Sequence, residues 1–436
     1  MAGIGPPGAV PGDGAGLVPP ARATDVNSSC AGRREGIQDG IMELASASRT
    51  AKAKNHRSFQ DVASVVMALE PSYPVFCLRP EVLEENTRRF MSLFPGTVLY
   101  AVKCNPHPMV LDVLYRAGIR HFDTASLPEI AQIRETFPNG HAYFMHPVKG
   151  RAVIKNAYTV YGIRHFVVDH MSELDKVLDE TGGENVVIIV RLHTPPVQAA
   201  LYHLASKFGA PKDEAAELLR AAQARGCGTG LAFHVGSQCA DPTVYRKALA
   251  LVGEIIEQAG VDPICLDVGG GFPVAYANAE VPPLEDYMDE IRAGLKALAL
   301  KPTVEIFAEP GRVLVADGCS LIVQVQLRKG EGLYINDGIY GSLSEMAQVD
   351  LRMPARVIRL DGAASDETRA FTLNGPTCDS LDVLPAAFDL AEDVREGDWI
   401  EIDQVGAYSF ALATRFNGFY PETFVEVYDA PPARAR

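Results

Sequence analysis

The sequence predicts an α/β plus β fold: a closed (β/α)8 barrel with a C-terminal mostly-β domain. Three observations carry it. From Val98 to about Ala316, short apolar runs alternate with helical patterns, and such alternation implies parallel βα units. Beyond Asp317 long helical patterns are nearly absent and short strand-like runs with turns take over, as in a mostly-β domain. The residues able to do chemistry fall at the C-terminal ends of the barrel runs, where barrel active sites form.

The elements follow in order. Residues 1–56 read as a disordered extension. Met1 to Pro20 is rich in Gly, Pro and Ala, without the basic start or apolar stretch of a signal peptide, and Ala21 to His56 is small and polar. Met42 offers an alternative start codon. Residues 57–80 hold a strand, Pro74–Leu78, that joins the β domain. Residues 81–317 form the barrel, with strands beginning near Val98, His121, Ala142, His165, Asn185, Gly230, Ile264 and Thr303. Helices fall at Pro108–Ala117, Leu127–Thr136, Arg151–Tyr161, Ser172–Glu180, Asp213–Arg225, Thr243–Gln258 and Leu284–Leu298. A doubly wound open sheet is the alternative arrangement. Residues 318–436 supply strands at Ser320–Leu327, Gly332–Asn336, Ala355–Leu360, Arg369–Leu373, Asp398–Asp403 and Thr423–Tyr428.

Bulk composition excludes several classes of function. The chain has 436 residues, 47% hydrophobic and 22% charged, which is globular and long enough for two domains. No apolar run reaches the roughly 18 residues that span a bilayer. A net charge of −15 argues against a nucleic-acid partner. Eight scattered cysteines, with neither a CxxC pair nor metal-ligand spacing, read as a reduced, cytoplasmic protein without a metal site.

Lys103 ends the first barrel run, Tyr100 to Asn105. A lysine at the mouth of a buried strand is partly desolvated, which favours the free amine and suits a Schiff-base nucleophile. The bland alternative is a lysine snorkelling to the rim. Asp123 lies in the second strand, with Glu129 in the helix after it. Arg191 ends the fifth strand; His234, Gly236 and Ser237 end the sixth. Gly269, Gly270 and Gly271 follow the seventh, and Glu309, Gly311 and Arg312 the eighth. Successive glycines let backbone N–H groups close on an anion, though a tight turn alone also uses them. Arg312 adds a fixed cation. Glu309 can pair with a protonated ring nitrogen, or with an arginine across the barrel. His234 can lie against a planar ring, or be a satisfied core histidine. A phosphate clamp, a ring partner, a stacking imidazole and an amine are together the parts that hold pyridoxal 5′-phosphate.

From about Phe59 to the C-terminus the chain resembles the barrel-type pyridoxal-phosphate decarboxylases of basic amino acids. These are the ornithine/lysine/arginine and diaminopimelate group, whose fold is like that of alanine racemase. The resemblance rests on YAVKCN with Lys103, HFDTAS with Asp123, FHVGSQ with His234 and Ser237, DVGGGFP with Gly269 to Gly271, and AEPGR with Glu309, Gly311 and Arg312. It extends to NDGIYGS with Tyr340, GPTCDSLD with Cys378 and Asp379, and GAYSFALATRFNGF with Tyr408 and Phe416. It implies that Lys103 carries the cofactor, Glu309 pairs with the pyridinium and His234 stacks on the ring. Ser237, Gly271, Gly311, Arg312 and Tyr408 would hold the phosphate. It also implies a homodimer with shared active sites. Cys378 and Asp379 would then reach the partner's cofactor, Cys378 protonating the carbon that loses carbon dioxide and Asp379 binding the distal ammonium. Phe416 would wall the substrate pocket.

GPTCDSLD and FNGFYP resemble the ornithine end of the family more than the diaminopimelate end. Two departures stand out. Val349 occupies the place of an aspartate in the eukaryotic ornithine enzymes, with Glu345 and Asp350 flanking it as candidate substrate carboxylates. His146 replaces the usual asparagine. The expectation is decarboxylation of L-ornithine, with L-lysine open as a second substrate, to a diamine for polyamine metabolism. Diaminopimelate or arginine decarboxylation is the nearest alternative. A racemase on the same barrel is disfavoured by Cys378. A non-catalytic regulator of this family is disfavoured by the presence of Lys103, Glu309, Arg312 and Cys378.

Overall fold

In chain order, β1 (Ser58–Phe59) and β2 (Val75–Leu78) come first, separated by a helix at Val62–Leu69, and a second helix, Pro80–Leu93, leads into the barrel. Asp61 caps the first helix, its carboxylate accepting from Ser64 N at 2.7 Å. Neither helix stood out in the sequence pattern. The computed structural model describes residues 57–194, 200–202 and 207–431, so the expectations for 1–56 and Met42 fall outside the described residues.

The barrel is built from β3 (Thr97–Ala101), β4 (His121–Thr124), β5 (His141–Phe144), β6 (His165–Val168) and β7 (Val187–Arg191). After β8 (Ala200–Tyr202), the chain adds β9 (Gly228–Ala232), β10 (Ser237–Cys239), β11 (Cys265–Asp267) and β12 (Glu305–Ala308). Eight of these close in the order β11-β12-β3-β4-β5-β6-β7-β9, all neighbours parallel. The open-sheet alternative is thereby excluded. β8 and β10 pair separately as an antiparallel ribbon above the barrel. The strands read as apolar runs because helices cover them outside while side chains fill the inside. Leu99, Tyr143, Met145, Val167, Ile189, Ala232, Cys265 and Phe307 fill the interior from seven of the strands, so the barrel is packed and its chemistry is confined to the rim.

The second domain contains β13 (Cys319–Lys329), β14 (Gly332–Ile335), β15 (Ala355–Ile358), β16 (Thr368–Asn374), β17 (Phe388–Ala391), β18 (Trp399–Ile402) and β19 (Thr423–Val427). β17 reads Phe-Asp-Leu-Ala and is short enough to have passed as a loop in the sequence. β2 lies between β19 and β13 in this sheet. The junction is an ion cluster. Arg79, 1% exposed, bonds Glu401 at 2.9 Å, Ser320 Oγ at 3.0 Å and Asp429 at 3.1 Å. A buried guanidinium is tolerable only with its donors so satisfied.

Candidate active site

Lys103 follows β3 in a single 3-10 turn, Val102–Cys104. Its ammonium meets Asp123, which ends the adjacent strand and is 2% exposed. Burial disfavours the charge on Lys103, but Asp123, Glu309 and Tyr408 outweigh it and hold the amine above the ordinary lysine range. The expectation of a lysine made neutral by desolvation is therefore corrected: three nearby acidic groups win over burial. Glu129 is occupied elsewhere, accepting from Ala125 N at 2.6 Å at the start of its helix.

Lys103 opens into a cavity of about 310 Å³ lined also by Asp123, Met145, His146, Arg191, Lys207, Phe208, His234, Ser237 and Tyr408. A narrower recess beneath it shares Met145, Arg191 and His234 and reaches Glu309. His234 Nδ1 accepts from Gly236 N at 3.0 Å. Burial, with Arg191 and Lys103 nearby, keeps this imidazole neutral. A flat neutral ring with one nitrogen already bonded suits stacking. His146 also lies in the wall, its ring 5.3 Å from Phe208 and edge-on to it.

Three strand-end loops converge beside His234. Gly269 and Gly271 have φ of +70° and +108°. A Cβ on Gly271 would lie 2.3 Å from Gly236 O, and one on Gly270 2.5 Å from Glu309 O. Only glycine permits this approach. Asp267, at the end of β11, accepts from Gly269 N at 2.7 Å with one carboxylate oxygen. Its other carboxylate oxygen is buried with no hydrogen-bond partner. Burial, with the nearby Asp123, pushes the carboxyls of Asp267 and Glu309 up. Asp267 was not singled out in the sequence. Its signal was there: it sits two residues after inward-facing Cys265 and two before Gly269, the first of the glycine run.

Arg312 is 4% exposed. Nη1 donates to Tyr276 Oη at 2.8 Å and to Glu345 Oε2 at 2.9 Å, while Nη2 reaches Glu345 Oε1 at 2.5 Å. Ser237 Oγ is 3.5 Å from Nη2, and the guanidinium lies 4.9 Å from the Tyr408 ring centre. Nε is buried and has no hydrogen-bond partner. Such an orphaned donor, next to Ser237 and a glycine cradle, fits the phosphate of pyridoxal phosphate. The Lys103 amine fits its aldehyde and the Glu309 carboxyl fits its ring nitrogen.

Residues 81–316 match the family model for the pyridoxal-binding domain of pyridoxal-dependent decarboxylases. The lysine/ornithine decarboxylase of Selenomonas ruminantium is 32% identical over 394 residues, covering 88% of this chain and 96% of that protein. The chain belongs to the pyridoxal-dependent decarboxylase family. The Vibrio vulnificus lysine/ornithine decarboxylase complexed with putrescine is 30% identical with a TM-score of 0.72, covering 84% of this chain and 99% of that one. The Paramecium bursaria Chlorella virus arginine decarboxylase bound to agmatine is 29% identical with a TM-score of 0.75, over the same shares. The protein is thus a pyridoxal-phosphate-dependent carboxy-lyase of basic amino acids.

The decarboxylase places its remaining candidate residues elsewhere. Tyr340 donates its hydroxyl to Asp379, and its ring centre lies 4.9 Å from that of Phe416. Cys378 is exposed, its backbone N–H donating to Asn417 Oδ1 at 3.0 Å. None of these four lines the Lys103 cavity of the same chain. Glu345 and Asp350 do not line it either. Glu345 is 3% exposed and paired with Arg312, while the Asp350 carboxylate is 69% exposed, 3.8 Å from Arg352. Within its own chain Glu345 is committed to a buried guanidinium, and Asp350 faces solvent.

Proposed function

We propose that this decarboxylase converts L-ornithine, and L-lysine less readily, to the diamine in the cytoplasm, as a homodimer whose chains complete each other's sites. The Tyr340–Asp379–Phe416 group, with Phe416 exposed and the other two half-buried, carries the reading. A substrate with a second ammonium needs a carboxylate facing it, because an unpaired buried charge is costly. Within one chain Asp123 is paired with Lys103, and Glu309, in the recess, is the group assigned to the ring nitrogen. Asp379, held by the Tyr340 hydroxyl beside an aromatic wall, is the carboxylate left to supply from a neighbouring chain. Leu381, Phe419 and Leu412, 70%, 43% and 41% exposed, are apolar surface near Cys378 and Phe416 in the sequence, of a kind that association would cover.

When bound, pyridoxal phosphate supplies the electron sink that makes carbon dioxide a leaving group. The chain's residues do the rest. Lys103 would take the cofactor aldehyde, Glu309 would pair with the ring nitrogen, and His234 would stack on the ring. Arg312, Ser237, Tyr408, Gly311 and the glycine run would hold the phosphate. Asp379 fixes the distal ammonium and Phe416 excludes water. Cys378 delivers a proton to the substrate α-carbon.

Carbon dioxide release from L-ornithine, L-lysine, L-arginine and meso-diaminopimelate by the reconstituted enzyme tests this. One methylene is worth about 1–3 kcal/mol, so kcat/KM for ornithine should exceed that for lysine by roughly 10- to 200-fold at most. Exclusive use of diaminopimelate, or of a substrate lacking a distal amine, overturns it.

A further inference from the structure

Arg312 has more partners than a phosphate clamp requires. Glu345 occupies the end of its guanidinium, bonding both Nη atoms at 2.9 and 2.5 Å. Both side chains are 3% exposed. The side edge, Nε with Nη2, is left over. Nε is buried without a partner, and Ser237, which lines the cavity, stands 3.5 Å from Nη2. A guanidinium can serve one anion at its end and a second along this edge.

We propose that Glu345 is a positioning residue for the cofactor phosphate, clamping the end of Arg312 so that its Nε edge is presented to the phosphate. This rests on the reading above that Arg312 holds that phosphate. The pair is electrically neutral, so the phosphate gains oriented donors here rather than net charge. Tyr276 holds Nη1 at 2.8 Å and the Tyr408 ring lies against the guanidinium, so Glu345 completes a cage with one open edge. Glu345 sits on the 3-10 turn Ser344–Ala347, in the segment that offered it as a candidate substrate carboxylate. That turn is thereby tied to the cofactor, and Glu345 is withdrawn from direct substrate contact.

A double-mutant cycle read by cofactor binding tests this. Pyridoxal phosphate, pyridoxal and inorganic phosphate are titrated by absorbance or by thermal shift against wild type, Glu345→Ala, Arg312→Ala and the double variant. Glu345→Ala should weaken pyridoxal phosphate and inorganic phosphate on the order of tenfold or more and leave pyridoxal unchanged, and the double variant should be no weaker than Arg312→Ala. Glu345→Gln, which keeps one acceptor for Arg312, should lose less, and it decides the matter if the alanine variant does not fold. The ³¹P resonance of the bound cofactor should move in both Glu345 variants. Unchanged or tighter phosphate binding in the Glu345 variants, or equal weakening of pyridoxal, overturns the inference. If Arg312→Ala itself leaves pyridoxal phosphate binding unchanged, the phosphate reading of Arg312 fails instead.

Discussion

Lys103 Nζ lies 2.5 Å from Asp123 Oδ2, joining the ends of two adjacent barrel strands. The contact decides the charge of the cofactor-binding amine against the effect of burial. A carboxylate this close favours the cationic form of any nitrogen at that place, the Schiff-base nitrogen included. Asp123→Asn should therefore lower the pH at which the bound cofactor's Schiff base loses its proton by about one to three pH units. Absorbance of the loaded variant across pH reads this directly. An unshifted titration would show that Glu309 or Tyr408 alone sets the charge.

The glycine turn makes a steric prediction. Gly271→Ala would place a methyl 2.3 Å from a backbone oxygen at φ +108°, where nothing nearby can yield. Cofactor affinity should fall at least about tenfold, with a lower melting temperature. Gly260→Ala is the control. Its φ is +63° with open space around it, so it should cost about 1 kcal/mol of stability and leave cofactor affinity intact.

Shared sites predict complementation. Lys103→Ala and Cys378→Ala should each be nearly inactive alone. After subunit exchange in an equal mixture, half the dimers are hybrids with one intact site each, giving about a quarter of wild-type activity. Labelled subunits would establish that exchange occurred. Exchange without recovered activity would place Cys378 in the site of its own chain.

The bottom of the barrel predicts acid sensitivity. His121 stacks on His141 at 5.0 Å and bonds Tyr143 Oη at 2.9 Å, and His165 lies 4.7 Å from the Tyr143 ring. Burial pushes His121 and His165 down from 6.5 to about 4, helped by His141 at His121 and by His121 at His165. Their folded values are depressed, so the unfolded chain binds protons first. The stability they contribute is complete above pH 6.5 and is lost as pH falls toward 4. His121→Phe or His165→Phe should flatten the dependence of melting temperature on pH in that window. An unaltered slope would assign the acid sensitivity to other groups.

Much of the barrel was legible because its signals are local. Most of the barrel strands are runs of three to five mostly apolar residues next to a helical pattern, as parallel strands buried on both faces tend to be. Chain direction then puts Lys103, Asp123, Arg191, His234 and Glu309 at one rim before any distance is known. The helices at Val62–Leu69 and Pro80–Leu93 and strand β17 escaped notice because their patterns are short or broken by charge.

By itself, the sequence determined the barrel, the mostly-β second domain and the family, since each rests on residue type and spacing along the chain. The tertiary structure decided which charges meet. Nothing local to Glu345 reveals that it faces Arg312, 33 residues away, rather than a substrate. Nothing local to Glu309 reveals that Asp123 and Asp267 lie near enough to push its carboxyl up. The protonation of Lys103 went against the local reading for the same reason. Burial can be guessed from a strand end, but Coulombic energy varies with distance between side chains, and folding alone sets those distances.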